Sequence, residues 1–468
     1  MKTKMTKTKV LAMVVMIALL AIGSVAQAVI TIETVPVGNA GNVGELSGLG
    51  AAGFGPNATC GAVNYTYIIG KYEVTAGQYT EFLNAVAASD PYGLYNPEMT
   101  TWGPNQGPQA GKPNKTGCQI MRSGSAGSYT YSVASDYANR PVNYVSFWDA
   151  CRFANWLHNG QGNGDTETSA YTLNGYNGSD GQSILRNPGW KWAVTSEDEW
   201  YKAAYYDPNK GGNGIAGYWD YATGSDLNPP PSGHYPGNDM TEITNPGDNA
   251  NYMAYDWDLG YAVYLDPVHY RTNVGEFELS ASAYGTFDQT GNVSEWNEAV
   301  VSVGGTPVVA SRGIRGGAYR SQQANAGGGS TPLWASNRGY GTPMYENNDT
   351  GFRVSSLEIT VITLASFTAK ASNGRVKLEW VTESELDNAG FNIWRADAAD
   401  GEYVKLNDEI IPAKGSASNG AKYVFTDNIA KNRMTYFYKL QDIDVYGTST
   451  FHGPVSAMPK WILGILGK

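Results

Sequence analysis

The sequence predicts an α+β domain with much irregular chain, followed by an all-β sandwich. Three helix-start signals, set among long runs of Gly, Asn and Pro across residues 65–357, predict the first part. Period-two alternation with turn residues at short intervals over residues 358–458 predicts the second. A length of 468 residues accommodates two or three domains, and 42% hydrophobic with 12% aromatic residues is a globular composition.

Residues 1–28 read as a secretory leader. Lys2, Lys4, Lys7 and Lys9 form a basic start, residues 10–22 are unbroken apolar, and Ala26-Gln27-Ala28 is the small-x-small pattern a signal peptidase cleaves. The apolar run is shorter than the roughly 20 residues a spanning helix needs. The mature chain, starting near Val29, is therefore expected to lack a transmembrane segment and to be secreted, periplasmic or held at the cell surface. Residues 29–64 form an N-terminal extension, Gly-rich from position 38 to position 61.

The domain over 65–357 opens with a strand at 67–74 that runs into Thr75 as a helix cap. Tyr79, Phe82, Leu83 and Val86 then recur at helical spacing. A second helix follows Ser146, which forms a capping-box pair with Asp149, with Phe147, Cys151 and Ala154 on one face. A third starts at Thr195 with Asp198 three residues on; Trp200, Ala203 and Ala204 make its apolar face and Pro208 ends it. Glu197, Asp198 and Glu199 suit the positive end of that helix dipole. Short strand-like pieces follow at 284–288, 312–317 and 351–354. In the second region, 376–380, 391–394 and 436–440 alternate most clearly, and 459–468 is a tail too short to span a bilayer.

The net charge is −11; without the four leader lysines it is 28 basic against 43 acidic residues, or −15. Such a chain has no basic footprint for nucleic acid. Three cysteines, Cys60, Cys118 and Cys151, leave at least one unpaired within the chain. Cys151 falls inside a helical pattern as a small apolar residue, while Cys60 and Cys118 are free to pair in an oxidising compartment. Histidines 158, 234, 269 and 452 have no ligand spacing, and no Cys-x-x-Cys is present, which argues against zinc or non-haem iron.

Six segments form an ordered pattern over roughly 65–356. They are Gly70-Lys71-Tyr72-Glu73-Val74-Thr75, Arg140-Pro141-Val142-Asn143, Thr195-Ser196-Glu197-Asp198-Glu199-Trp200, Gly291-Asn292-Val293-Ser294-Glu295-Trp296, Arg315-Gly316-Gly317-Ala318-Tyr319 and Gly351-Phe352-Arg353. Together they resemble the formylglycine-generating enzyme (sulfatase-modifying factor) family. The resemblance implies a C-type-lectin-like fold with little regular secondary structure. It also implies an activity: the enzymes hold copper on two cysteines shortly after an Arg-Gly-Gly-Ser-Tyr motif and oxidise a substrate cysteine to formylglycine with oxygen. Here the matching positions are Ser321 and Ala326, and the motif's serine is Ala318. Cu(I) takes soft thiolates; a hydroxyl and a methyl do not replace them. No catalytic residue of the known kind and no copper are therefore expected.

The family's calcium motif falls on Asn292, Val293 and Glu295, an amide oxygen, a backbone carbonyl and a carboxylate that suit a hard cation. The other reading of Asn292 and Glu295 is hydrogen bonding to turn backbone without an ion. A second family calcium site, near Asn251, has Gly275 where an Asp is usual, with Glu276 next door. Arg315, Tyr319 and Trp334 are the binding candidates. Arg315 either faces a ligand groove or pairs with carboxylates between Gly-rich turns. Tyr319 and Trp334 suit stacking on a sugar or peptide, while Trp296 reads as core. The strand order after 358 resembles a fibronectin type III domain. The expected function is a non-catalytic binding or cell-surface protein with a peptide, protein or glycan partner. The alternatives are a formylglycine-generating-type oxidase, another activity in the same pocket, or a structural surface-layer component.

Overall fold

Thr75, Ser146 and Ser196 each begin a helix by the same device. Each side-chain oxygen accepts from the backbone N–H three residues on, and residue N3 returns the bond: Gln78, Asp149 and Glu199 respectively. The helices are α1 (Ala76–Val86), α2 (Phe147–His158) and α3 (Glu197–Tyr205). The third cap is Ser196 with Glu199, one residue later than the Thr195 and Asp198 expected. Thr195 is instead buried at the end of a strand, and Asp198 accepts from the Gly61 N–H at 2.8 Å.

The computed structural model describes residues 29–101, 103–104, 113–114, 116–226, 249–256, 261–302, 310–321, 331–357, 362–385, 388–416, 419–444 and 449–461. The leader at 1–28, Ala326 and the tail beyond Trp461 lie outside them. The chain divides into two units, Met1–Glu358 and Ile359–Lys468. Strands predominate, with three α-helices among the described residues, none long and apolar enough to cross a membrane.

In the first unit, eight strands position the region of interest: β1 (Thr34–Val37), β2 (Tyr67–Gly70), β3 (Trp192–Val194), β4 (Ser294–Ser302), β5 (Ala310–Arg315), β6 (Gly339–Gly341), β7 (Thr350–Phe352) and β8 (Val354–Ser356). One sheet runs β1-β2-β8-β3 and the other β6-β5-β4-β7, so β7 and β8 join two sheets across the single residue Arg353. In the second sheet β4 and β7 are parallel, with Glu295 opposite Gly351. The strand-like piece at 284–288 is a turn, closed by Ser282 N–H to Thr286 O at 2.8 Å.

The core of this unit is aromatic and lies between α1, α2 and β7. Phe82 meets Phe153 edge-on at 5.3 Å, and Phe153 meets Phe352 at 5.4 Å. Offset and edge-on pairs of this kind add about 0.5–1.5 kcal/mol beyond their buried area. Trp296 is fully buried and donates its ring N–H to Val145 O at 3.0 Å. All three cysteines are buried and free, so Cys60 and Cys118 do not pair. Cys60 instead lies 3.3 Å from the Arg315 guanidinium, and Cys118 faces the Asn143 carbonyl.

The second unit has seven further principal strands: β9 (Ile362–Ser372), β10 (Arg375–Glu385), β11 (Asn388–Ala396), β12 (Val404–Lys405), β13 (Lys422–Asp427), β14 (Tyr436–Asp444) and β15 (Ser449–Ala457). They form two antiparallel sheets, β9-β10-β13 and β12-β11-β14-β15. Alternate residues of both sheets, Val376, Leu378 and Trp380 with Phe391, Ile393, Tyr438 and Leu440, make one core. The Trp380 ring stacks on Tyr423 at 5.1 Å.

Candidate functional site

The turn that enters β4 is built on backbone few residues adopt. Gly291 has φ 88°, and a Cβ there would stand 2.3 Å from the Asn251 carbonyl, so only glycine fits. Asn292 follows at φ 56°, a conformation asparagine tolerates better than most. Its amide then anchors the turn. Oδ1 accepts from Thr272 N at 3.1 Å and Asn251 Nδ2 at 3.2 Å, and Nδ2 donates to Glu73 Oε2 at 3.1 Å. The Val293 N–H donates to Glu73 Oε1 at 3.3 Å. Glu295 is fully buried, and Arg353 grips it with Nε at 2.6 Å and Nη2 at 2.7 Å; the Trp200 ring N–H takes Oε2 at 2.8 Å. Protein donors thus meet the oxygens of Asn292 and Glu295 that a calcium ion would use. Among the described residues, no group of three or more His, Cys, Asp or Glu side chains is placed to hold a metal. At the second family site, Asn251 Nδ2 donates to Tyr270 O and the Gly275 N–H to Asp288 Oδ2 at 2.6 Å.

Three carboxyls, Glu73, Asp288 and Glu295, share the Arg353 cation. Burial pushes Glu73 well above the usual carboxylate range, and the charges of Asp288 and Glu295 add to it. Burial likewise raises Asp288 to about 6. The closest contact in this group is between Glu295 and Arg353, whose side chains are both fully buried.

Arg315 occupies a second such centre. Its guanidinium is buried, and it donates to Glu197 Oε1 at 2.8 Å and to the carbonyls of Ala335 and Asn337 at 3.0 Å. Arg338 holds the other face of Glu197 at 2.8 Å. Burial pushes Glu197 up, but the two guanidinium groups outweigh it and hold the carboxyl below its ordinary value. Burial also pushes the Cys60 thiol up to about 12 despite its Arg315 neighbour, so it is not a nucleophile near neutrality.

The segment after β5 folds back on the turn before β4. Gly291 N–H reaches Gly316 O and Tyr319 N–H reaches Asn292 O, both at 2.9 Å, so the Asn292 turn and the Arg315–Tyr319 motif are one structure. Tyr319 is 2% exposed, its ring against Tyr270 at 5.5 Å. Ser321 closes a small turn: its Oγ accepts from Ala318 N–H at 2.9 Å, and its own N–H reaches Ala318 O at 2.8 Å. Trp334 is half-buried, and its ring N–H donates to the Tyr221 hydroxyl.

The acidic trio of α3 does more than suit a helix dipole. Glu197 binds two arginines; Glu199 accepts from Arg186 Nη1 at 2.7 Å and from Tyr65 Oη at 2.6 Å while capping its own helix. Arg186 also donates to Glu298 on β4 at 2.8 Å. These partners lie more than ten residues away in sequence, beyond any local pattern. The one signal was the density of acids at a helix start that already had a cap.

Residues 37–356 match the family model described as the sulfatase-modifying factor enzyme 1-like domain. No curated protein matches the chain. Among solved structures, variable protein 1 of Treponema denticola is similar at 15% identity and a TM-score of 0.37, over 70% of this chain and 97% of its own. A Fn3-like protein from Clostridium thermocellum is similar at 15% identity and a TM-score of 0.15, over 22% of this chain and 99% of its own. A beta-1,2-glucanase from Parabacteroides distasonis is similar at 14% identity and a TM-score of 0.16, over 27% of this chain and 17% of its own.

Proposed function

Since the chain belongs to the sulfatase-modifying factor family by the match of its residues 37–356, we propose that it is an exported, non-catalytic binding or cell-surface member of that family. The observation that carries the reading is Ser321. It stands where the resemblance puts the first copper-holding cysteine, and its hydroxyl is spent inside a turn on the Ala318 N–H. The second such position is Ala326, and the three cysteines of the chain are all elsewhere, at 60, 118 and 151. These residues do not fit copper, and no redox step is assigned to them.

On this reading the first unit takes the family's C-type-lectin-like fold and offers its loops to a peptide, protein or glycan. The second unit is a fibronectin type III-like β-sandwich that spaces or displays it, supported by its two sheets around one core and its lack of cysteine. The leader at 1–28 takes the chain out of the cytoplasm to the periplasm, the medium or the cell surface. The Asn292–Glu295 turn stands on Arg353, Trp200 and Thr272 rather than on calcium, so adding calcium or a chelator is expected to leave the unfolding midpoint unchanged.

Cu(I) titration against a chromogenic chelator tests the reading. The purified protein is expected to leave the copper with the chelator. Stoichiometric, tight Cu(I) retention would overturn it.

A further inference from the structure

A cleft of about 620 Å³ lies between the chain at Ile30–Glu33 and the first turns of α1. None of its lining residues belongs to the 315–334 segment, so it is distinct from the Ser321 turn. Its walls have two characters. Ile30, Ile32, Val133 and Val274 make an aliphatic channel. Glu33, Glu73 and Glu81 are among the lining residues, and no Lys, Arg or His is.

The backbone N–H groups that open α1 are already engaged. The Ala76 and Gly77 N–H groups are taken by the carbonyls of Arg140 and Ala138. The Gln78 N–H goes to Thr75 Oγ1, and the Gln78 amide is held between Thr75 N–H and Thr31 O. Glu33 shares its charge with Lys71 at 2.7 Å. Glu81 is half-buried on the cleft side of α1 and has no hydrogen-bond or ion-pair partner among the described residues. Its charge therefore stands uncompensated beside an aliphatic channel.

We propose that this cleft binds an aliphatic ammonium, with the stem along Ile30, Ile32 and Val274 and the cation on Glu81. A free diamine and the side chain of a peptide lysine present the same chemistry. A partly buried carboxylate next to apolar walls favours such an ion over water and over an anion, because the attraction is less screened there. The inference is independent of the copper reading and survives either outcome of that test.

The test is calorimetric titration of the full chain with 1,5-diaminopentane and, separately, with a blocked lysine amide; the stronger binder identifies the source. Binding is expected to weaken at least tenfold in Glu81→Gln and to fall with added salt. 1-Pentanol and glutarate are expected not to compete. Ile32→Trp, which fills the channel without touching the charge, is expected to weaken binding too, and serves if Glu81→Gln does not fold. Failure of both amines to bind at millimolar concentration, equal binding by folded Glu81→Gln, or competition by glutarate would overturn the proposal.

Discussion

Glu295 and Arg353 meet with both side chains at 0% exposure and two hydrogen bonds between them. Removing one partner of such a pair leaves a bare charge in a dry interior and costs about 3–5 kcal/mol. Arg353→Met is therefore expected to lower the stability of the first unit by about that amount in denaturant unfolding, whereas Arg320→Ala, on an exposed side chain, should move it by less than about 0.5 kcal/mol. A second residue-scale prediction concerns Glu346. Burial, with the Asp149 charge nearby, raises Glu346 to about 8 and burial raises Asp149 to about 6. A raised carboxyl stabilises the fold fully below its ordinary value of 4.5 and ceases to do so as pH climbs through the folded one. The unfolding midpoint should therefore fall between about pH 5 and about pH 8, and Glu346→Gln should flatten that slope; a midpoint that rises with pH over this window would contradict it. Little of this was legible beforehand. Arg315 and Arg353 stand out in Gly-rich motifs, but the identity of their partners, Glu197 and Glu295, is set by chain passing at distances of 118 and 58 residues.

At the scale of elements, the helix starts carry the local information. Thr75-x-x-Gln78 and Ser146-x-x-Asp149 are reciprocal caps within four residues, which is why both helices were readable from the sequence. Ser196 and Thr195 are adjacent candidates, and only the pairing of Ser196 with Glu199 decides between them. Ser196→Ala is expected to cost about 1 kcal/mol, with Thr195→Ser much less perturbing. A larger loss at Thr195 in urea unfolding would move the cap back. The strands of the second unit were legible for a different reason: Val376, Leu378 and Trp380 alternate into a core that the residues between them leave. The piece at 284–288 has similar composition but lies in a Gly-containing turn, and short irregular segments carry no period long enough to separate the two. That Cys60 and Cys118 stay unpaired was not legible, since it depends on their separate neighbours, Arg315 and Asn143.

For the whole molecule, two units with separate cores imply two unfolding events. Calorimetry is expected to resolve two transitions, of which Trp380→Leu lowers one only. A single transition shifted as a whole by that substitution would show the units to be thermally coupled. The family motifs, Gly291 to Trp296 and Arg315 to Tyr319 above all, serve chiefly to hold sheets and turns together: Asn292 ties the turn, Glu295 takes Arg353, Arg315 takes Glu197. A scaffold can keep all of these while its thiol positions change. The direct measurement offers the purified chain copper, oxygen and a peptide bearing Cys-x-Pro-x-Arg, beside an active enzyme of the family, with mass spectrometry of the cysteine. The cysteine is expected to remain unchanged; copper-dependent conversion to the aldehyde would show that the pocket oxidises thiols without the two cysteines.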